Sequence, residues 1–170
     1  MDLKNFIRDI PDFPSPGIMF RDITPLLSEP EALRSAVDSM AEALGDEPFD
    51  LILGPESRGF IFGVPLAYNL RKGFVPVRKA GKLPHETVKK EYALEYGTAA
   101  IEMHRDAVKP GQRVVIADDL LATGGTAKAI AALVEELGGT VTAFVFLVEL
   151  AALKGKDILA GYNVRSILRY

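Results

Sequence analysis

Residues Val114 to Thr126, reading Val-Val-Ile-Ala-Asp-Asp-Leu-Leu-Ala-Thr-Gly-Gly-Thr, constrain the fold more than any other stretch of the chain. Val114 to Ala117 are apolar and mostly β-branched, the pattern of a strand buried on both faces. Two adjacent acids follow, then a small-residue loop, then an apolar-periodic helix. Open parallel α/β sheets bind ligands just outside the carboxyl ends of their strands, so this order puts acids and loop where a ligand is expected. In Ala122, Thr123, Gly124, Gly125 and Thr126 the paired glycines let backbone N–H groups turn inward. The hydroxyls of Thr123 and Thr126 add donors, and the next helix presents its open N–H groups and positive dipole end. This chemistry suits a phosphate dianion. Neither Gly-Lys-Ser/Thr nor Gly-x-Gly-x-x-Gly occurs here, so the loop is not a Walker or dinucleotide motif. Asp118 and Asp119 would repel phosphate and are expected to face hydroxyls, a magnesium ion or developing positive charge. The expected ligand carries a phosphate at one end and a polyol beside it. The plainer alternative is a tight turn, with Thr126 as a helix cap and both acids solvated.

At 170 residues the chain is expected to form one domain, 1–170, with a substantial core. Hydrophobic residues make up 48% and charged residues 25%, which is globular rather than disordered composition. The absence of cysteine removes disulfides, thiolate metal sites and cysteine nucleophiles together. Met1 to Asn5 do not read as a secretory signal, and the longest apolar run, Val141 to Val148, is too short to span a bilayer. A soluble, cytoplasmic protein is therefore expected. A net charge of -3 argues against general nucleic-acid binding. Charge is unevenly placed: Arg71 to Lys90 hold seven basic residues against Glu86 alone, so positive charge concentrates in one segment.

Residues 3–10 are expected to form a short amphipathic helix, and Pro11 to Gly17, with three prolines, an extended stiff loop. Ile18 to Leu27 read as a covering segment in which Arg21 and Asp22 are solvated. Ser28 and Glu31 have capping-box spacing, and Leu33, Ala36, Val37, Met40 and Leu44 share the face of a helix closed by Gly45. A short strand, 50–53, ends in Gly54-Pro55-Glu56-Ser57-Arg58-Gly59, with an apolar helix running on to about Leu70. Arg58 either grips a phosphate through two parallel hydrogen bonds or pairs with Glu56. Strand 74–77 leads into a basic loop reaching Lys90, either a mobile lid or a solvated linker. Residues 91–98 and 99–104 alternate about Gly97 and predict a hairpin with Glu95 near its tip beside Tyr96. Helix 126–137, strand 140–148 and a strand near 164–168 complete an α/β fold with a doubly wound, mainly parallel sheet flanked by helices. His85 and His104 are too few and too separated in sequence for a metal cluster and read as surface residues.

The run of strand, acid pair and Thr-Gly-Gly-Thr resembles the phosphoribosyl-pyrophosphate (PRPP) signature of the type I phosphoribosyltransferase family. Further stretches match that family in its order: Phe13 to Leu26, Glu56-Ser57-Arg58-Gly59-Phe60, Arg78 to Pro84, Leu94-Glu95-Tyr96-Gly97 and Leu147-Val148-Glu149-Leu150. Together they look like its adenine-specific members, from about residue 6 to the end. The resemblance implies transfer of a 5-phosphoribosyl group from PRPP to adenine, giving AMP and pyrophosphate, with Mg2+ held mainly through PRPP. It implies that Ala122, Thr123, Gly124, Gly125 and Thr126 hold the 5-phosphate and that Asp118 and Asp119 hold the ribose hydroxyls. Arg58, Arg78, Lys79 and Lys82 would serve the pyrophosphate. Met19 and Arg21, through their main chain, and Phe20, by stacking, would read adenine from an N-terminal hood, about 1–28. Glu95 would share a proton with the base, and Tyr96 would belong to a mobile basic lid, about 79–95. A homodimer is implied, with some basic residues acting across subunits. Two departures are Ser57, where many relatives have alanine, and Met19, where they carry a smaller aliphatic residue. Alternatives are an enzyme for another purine base and a non-catalytic PRPP-sensing regulator, although an acidic single domain offers no nucleic-acid module for the latter.

Overall fold

The computed structural model describes residues 1–94 and 97–170, which divide into two compact units, Met1–Ser39 and Met40–Tyr170. The N-terminal helix expected over 3–10 is shorter than its periodicity implied. Asp2 accepts a hydrogen bond from the Lys4 N–H and closes a single 3-10 turn, Leu3–Phe6. Strand β1, Arg8–Ile10, then pairs antiparallel with β2, Phe20–Asp22, which offers a ladder that a continued helix would forgo. The proline-rich stretch between them folds back instead of running extended. Phe13 N–H donates to the Ile18 carbonyl, and Gly17 N–H donates to the Asp12 carboxylate at 2.8 Å. Gly17 takes φ +85, and the Phe13–Pro14 peptide is cis.

Arg21 and Asp22 are not solvated, contrary to their composition-based reading. Arg21 pairs with Asp9, while Asp22, 9% exposed, accepts from the backbone N–H and the hydroxyl of Thr24 at 2.9 and 2.8 Å. This fixes the start of α1, Thr24–Ser28. The Ser28 hydroxyl donates to the Pro25 carbonyl at 3.0 Å and so closes α1 rather than forming the expected capping box. Helix α2, Pro30–Leu44, starts on a proline, whose missing N–H is harmless there, and ends at Gly45 with φ +56. Ala36, Val37, Met40 and Leu44 are buried, as their spacing predicts, while Leu33 is only half-buried and Ala32 is buried in addition.

The second unit is built on seven strands. Strands β3, Leu51–Pro55, and β4, Gly73–Lys79, are joined by α3, Arg58–Asn69. Strands β5, Thr87–Ala93, and β6, Thr98–His104, form an antiparallel pair. Strand β7, Arg113–Leu121, leads through α4, Gly125–Glu136, to β8, Thr140–Glu149. A 3-10 turn, Ala151–Leu153, and the short α5, Gly155–Ile158, then reach β9, Val164–Arg169. Their order is β5-β6-β4-β3-β7-β8-β9, parallel from β4 through β9 and antiparallel at the β5–β6 edge. Helix α3 packs on β3, β4 and β7, and α4 on β5, β6, β7 and β8. A Cβ on Gly63 would lie 2.5 Å from Phe74 Cε2, and one on Gly54 would lie 3.2 Å from the same atom, so α3 seats flush against the sheet at this ring.

Two boundaries differ from the sequence reading. The basic stretch through Lys90 is not one loop, because Thr87 to Lys90 pair with His104 to Ile101 and only residues 80–86 connect β4 to β5. Strand β7 continues through both acids, with Leu120 beside Val148 and Leu121 beside Glu149. The β5–β6 pair also brings His85 and His104 together despite their separation in sequence. Their ring centroids are 5.9 Å apart, with His85 exposed and His104 half-buried.

Candidate active site

The carboxyl ends of β3, β4 and β7 open onto two adjoining clefts. One, of about 230 Å³, has Glu56 to Arg58, Arg78, Lys79, Tyr92 and the acid pair in its wall. The other, of about 200 Å³, is formed by Arg58, Asp118, Asp119 and the loop through Thr126. Arg58, Asp118, Asp119 and Thr126 belong to both, so the acids stand where a basic end meets the small-residue loop.

The loop has the form its sequence predicts, with one correction. Gly124, at φ +87, caps α4, and its carbonyl accepts from the Lys128 N–H at 2.9 Å. Thr126 therefore lies inside the first turn instead of capping it. The first N–H groups of an α-helix have no carbonyl partner within it, so this end of α4 offers donors to an anion. The Thr126 hydroxyl donates to Tyr92 Oη at 3.1 Å. Tyr92 is a site residue that sequence reasoning missed. Its one signal was its position two and four residues after Lys90 and Val88 on an alternating strand, which places the three on one face.

The two acids differ in their surroundings. Asp119, 4% exposed, has its Oδ2 3.0 Å from Arg58 Nε. Asp118 accepts from the Asp119 N–H at 2.8 Å. Burial first, and the neighbouring Asp119 second, push the Asp118 carboxyl well above the ordinary aspartate value. Gly59 makes the close approach of α3 possible, because a Cβ there would lie 2.6 Å from Pro55 Cδ and 3.0 Å from Asp118 Oδ1.

Arg58 does not pair with Glu56, the plainer of its two expected roles. Glu56 instead accepts from the Lys79 N–H at 2.8 Å and lies 3.3 Å from Arg78 Nε. The Lys79 N–H, aided by the charges of Arg78, Lys82 and Lys79, holds its carboxyl below the usual glutamate range. Glu56 thus orients the basic end of the cleft, and the Glu56–Ser57 peptide is cis. Arg78 and Lys79 reach the cleft as expected. Lys82 is exposed and lines neither cleft, and its carbonyl accepts from Arg78 Nη1 at 3.5 Å.

Met19, Phe20 and Arg21 belong to the first unit, where Met19 is 44% exposed and Phe20 stands edge-on to Phe13 at 5.1 Å. Glu95 and Tyr96 fall outside the described residues. Among the described residues no group of three or more His, Cys, Asp or Glu side chains is placed to hold a metal ion. A pair of carboxylates in an open cleft suits a cation that keeps water and shares the phosphates of a ligand, as magnesium does.

The family model for the phosphoribosyl transferase domain matches residues 24–167. The chain is 60% identical over 168 residues to an adenine phosphoribosyltransferase of Lachnoclostridium phytofermentans, covering 99% of this chain and 97% of the relative. It superimposes on the crystal structure of an adenine phosphoribosyltransferase from Thermoanaerobacter pseudethanolicus with a TM-score of 0.97, at 56% identity over 99% of this chain and 98% of that one. A Saccharomyces cerevisiae adenine phosphoribosyltransferase, complexed with an imino-altritol bisphosphate and adenine, aligns with a TM-score of 0.92 at 41% identity over 98% and 96% of the two chains. With so much of each chain aligned at such identity, the chain belongs to the phosphoribosyl transferase family and, within it, to the adenine phosphoribosyltransferases.

Proposed function

We propose that this chain transfers the 5-phosphoribosyl group of PRPP to adenine, releasing AMP and pyrophosphate, in purine salvage. The observation that carries the reading is the acid pair, buried Asp119 and half-buried Asp118, standing between a loop of N–H donors and a basic cleft end. A nitrogen of adenine forms the new bond to the anomeric carbon, and the bond to pyrophosphate breaks with its electron pair leaving on oxygen. Positive charge grows on the sugar and negative charge on the leaving group. Carboxylates beside one and cations beside the other stabilise the transition state more than the ground state.

Ala122 to Thr126 hold the 5-phosphate, and Asp118 and Asp119 hold the ribose hydroxyls and face the developing cation. Arg58, Arg78 and Lys79 serve the pyrophosphate, and Lys82 joins them from the β4–β5 connection. Phe20 stacks on adenine while the main chain of Met19 and Arg21 reads its edge. Glu95 exchanges a proton with the base, and Tyr96 belongs to the lid that excludes water during transfer. Magnesium would be held mainly through PRPP and would supply neutralisation of charge on the pyrophosphate. The yeast relative's complex with a sugar-like bisphosphate and adenine supports this pair of ligands.

The working form is a homodimer. Val64 and Tyr68, one turn apart on α3, are 48% and 82% exposed and form a strip that a second copy would cover. The place of action is the cytoplasm, because PRPP carries too much charge to cross a bilayer and must be used where it is made.

The test is pyrophosphate release with magnesium, PRPP and each purine base. Release with adenine, well above that with hypoxanthine or guanine, is expected, and a preference for guanine overturns the base assignment. No release, together with a gel shift of nucleic acid at physiological salt, identifies the PRPP-sensing regulator instead. Glu95→Gln is expected to lower turnover by about 100-fold or more with little change in Tm.

A further inference from the structure

The small-residue loop has a neighbour behind it, on the side away from the clefts. This is the connection from β8 to β9, about thirty residues further along the chain. Two glycines meet there. A Cβ on Gly155 would lie 2.4 Å from the Ala122 carbonyl oxygen and 2.8 Å from Leu121 Cδ1. A Cβ on Gly124 would lie 2.7 Å from the Gly155 carbonyl oxygen and 3.3 Å from Ile158 Cβ. The backbone of one loop thus rests closely on the backbone of the other, flanked by the Leu121 and Ile158 side chains, and the second cannot shift forward without pushing the first.

Charge and backbone bonds fix the connection in place. Glu149, the last residue of β8, is 4% exposed, and its Oε2 lies 2.8 Å from Lys156 Nζ, one residue beyond Gly155. Arg169 Nε stands 3.7 Å from the other oxygen. Burial alone would raise the Glu149 carboxyl, but Lys156, the Ser166 hydroxyl and Arg169 outweigh it and hold the group below the ordinary glutamate value. The Leu150 N–H donates to the Leu121 carbonyl at 2.9 Å, and the Ala151 N–H to the Tyr170 carbonyl at 2.8 Å. Lys154 takes φ +55, which turns the chain sharply into Gly155. Neither Gly155, Lys156 nor Glu149 lines either cleft, so they act on the loop rather than on a ligand.

We propose that Gly155, held by the Glu149–Lys156 ion pair, is a positioning residue that sets the anion-binding shape of Ala122 to Gly124 from behind. An anion cradle works by aiming several N–H groups at one point, and a displacement of about half an ångström spoils that aim. An added methyl at Gly155 meets a carbonyl of the loop itself, so its displacement falls on the cradle. This rests on the reading that Ala122 to Thr126 bind the 5-phosphate of PRPP.

The test uses the full chain carrying Gly155→Ala, Lys156→Met or Lys156→Arg, with Thr126→Ala as a reference inside the cradle. Steady-state rates give KM for PRPP and for adenine separately, titration calorimetry gives AMP affinity, and thermal unfolding gives Tm. Gly155→Ala is expected to raise the PRPP KM and weaken AMP binding by about tenfold, with the adenine KM within about twofold of the parent. Lys156→Met moves the same quantities about threefold, and Lys156→Arg, which keeps the charge, restores most of the loss. Should Gly155→Ala not fold, the Lys156 pair decides. A PRPP KM unchanged in Gly155→Ala, or in Lys156→Met where that variant decides, overturns the proposal while Thr126→Ala still raises it. If Thr126→Ala also leaves the PRPP KM unchanged, the phosphate reading itself fails. A Tm loss with both KM values moving together shows ordinary structural damage and also overturns the proposal.

Discussion

Strands β7 and β8 lie side by side in parallel register, and each delivers buried carboxylate at its carboxyl end, yet the two ends are treated oppositely. Glu149 on β8 meets Lys156 and Arg169, and its carboxyl is held down. Asp118 on β7 meets another acid, with Arg58 engaging Asp119, and its carboxyl is pushed up. A buried acid is cheap for the fold when cations saturate it and costly when they do not. The difference separates a carboxylate that holds the protein together from one kept short of positive charge.

The sharpest way to break this comparison is to neutralise each acid without changing its shape. Asp119→Asn is expected to lower kcat/KM by about 100-fold to 1,000-fold while Tm stays close to the parent's, as removal of a group aimed at transition-state charge does. Turnover within threefold of the parent would place Asp119 with Glu149 as structural. Next in size is Lys156→Met, which leaves Glu149 buried with the more distant Arg169 as its nearby cation. A loss of about 2 kcal/mol and a fall in Tm of about 4–8 °C are expected in thermal unfolding.

The dependence on pH carries the comparison in its sign. The Glu149 carboxyl is lowered from 4.5, so its contribution is complete above that value and is lost as pH falls through the folded value. The Asp118 carboxyl is raised from 3.8, so its cost is absent below that value and grows as pH rises through the folded one. Relative to the parent, Glu149→Gln should therefore be less stable at neutral pH and Asp118→Asn more stable, the Asp118 gap closing as pH falls to 3.8 and the Glu149 gap closing only as pH falls from 4.5 through its lowered folded value. Denaturant titrations of the three proteins across that range check it, and gaps of the same sign would end the distinction. The smallest effect belongs to Asp50→Asn. Asp50 sits at the opposite ends of β3 and β7, paired with Arg113 and lowered to about 2 by its hydrogen bonds, but the pair faces solvent, where such contacts contribute little. Its Tm shift is expected to be the least of the set.

How much of this was legible in the sequence depends on how local the determinants are. Val114 to Thr126 could be read as strand, acids, loop and helix because hydrophobicity, charge and glycine all change within thirteen residues. The adjoining parallel strands followed from their apolar runs. Residues whose state is set by distant partners could not be read. Arg21 and Asp22 looked solvated because Asp9 and the Thr24 hydroxyl are brought to them by a turn. Thr87 to Lys90 looked like loop because their ladder partners, Ile101 to His104 on β6, come more than ten residues later in the chain. Arg58 had an acid two positions away, yet it took one from β7, because Lys79 and Arg78 claim Glu56. Gly155 and Lys156 carried no signal at all, since their importance lies in a contact with residues some thirty positions earlier.

The ring of Phe74 is gripped by two glycines, Gly63 on α3 and Gly54 on β3, and meets Phe60 edge-on at 5.8 Å. Such a joint acts as a dowel: the helix can neither slide along the strands nor roll over them without driving backbone into an aromatic edge. Arg58, at the near end of that helix, consequently inherits the stiffness of the sheet. The guanidinium is thereby a fixed datum at the carboxyl end of β3, its place set by the seam between helix and sheet and not by the loops around it.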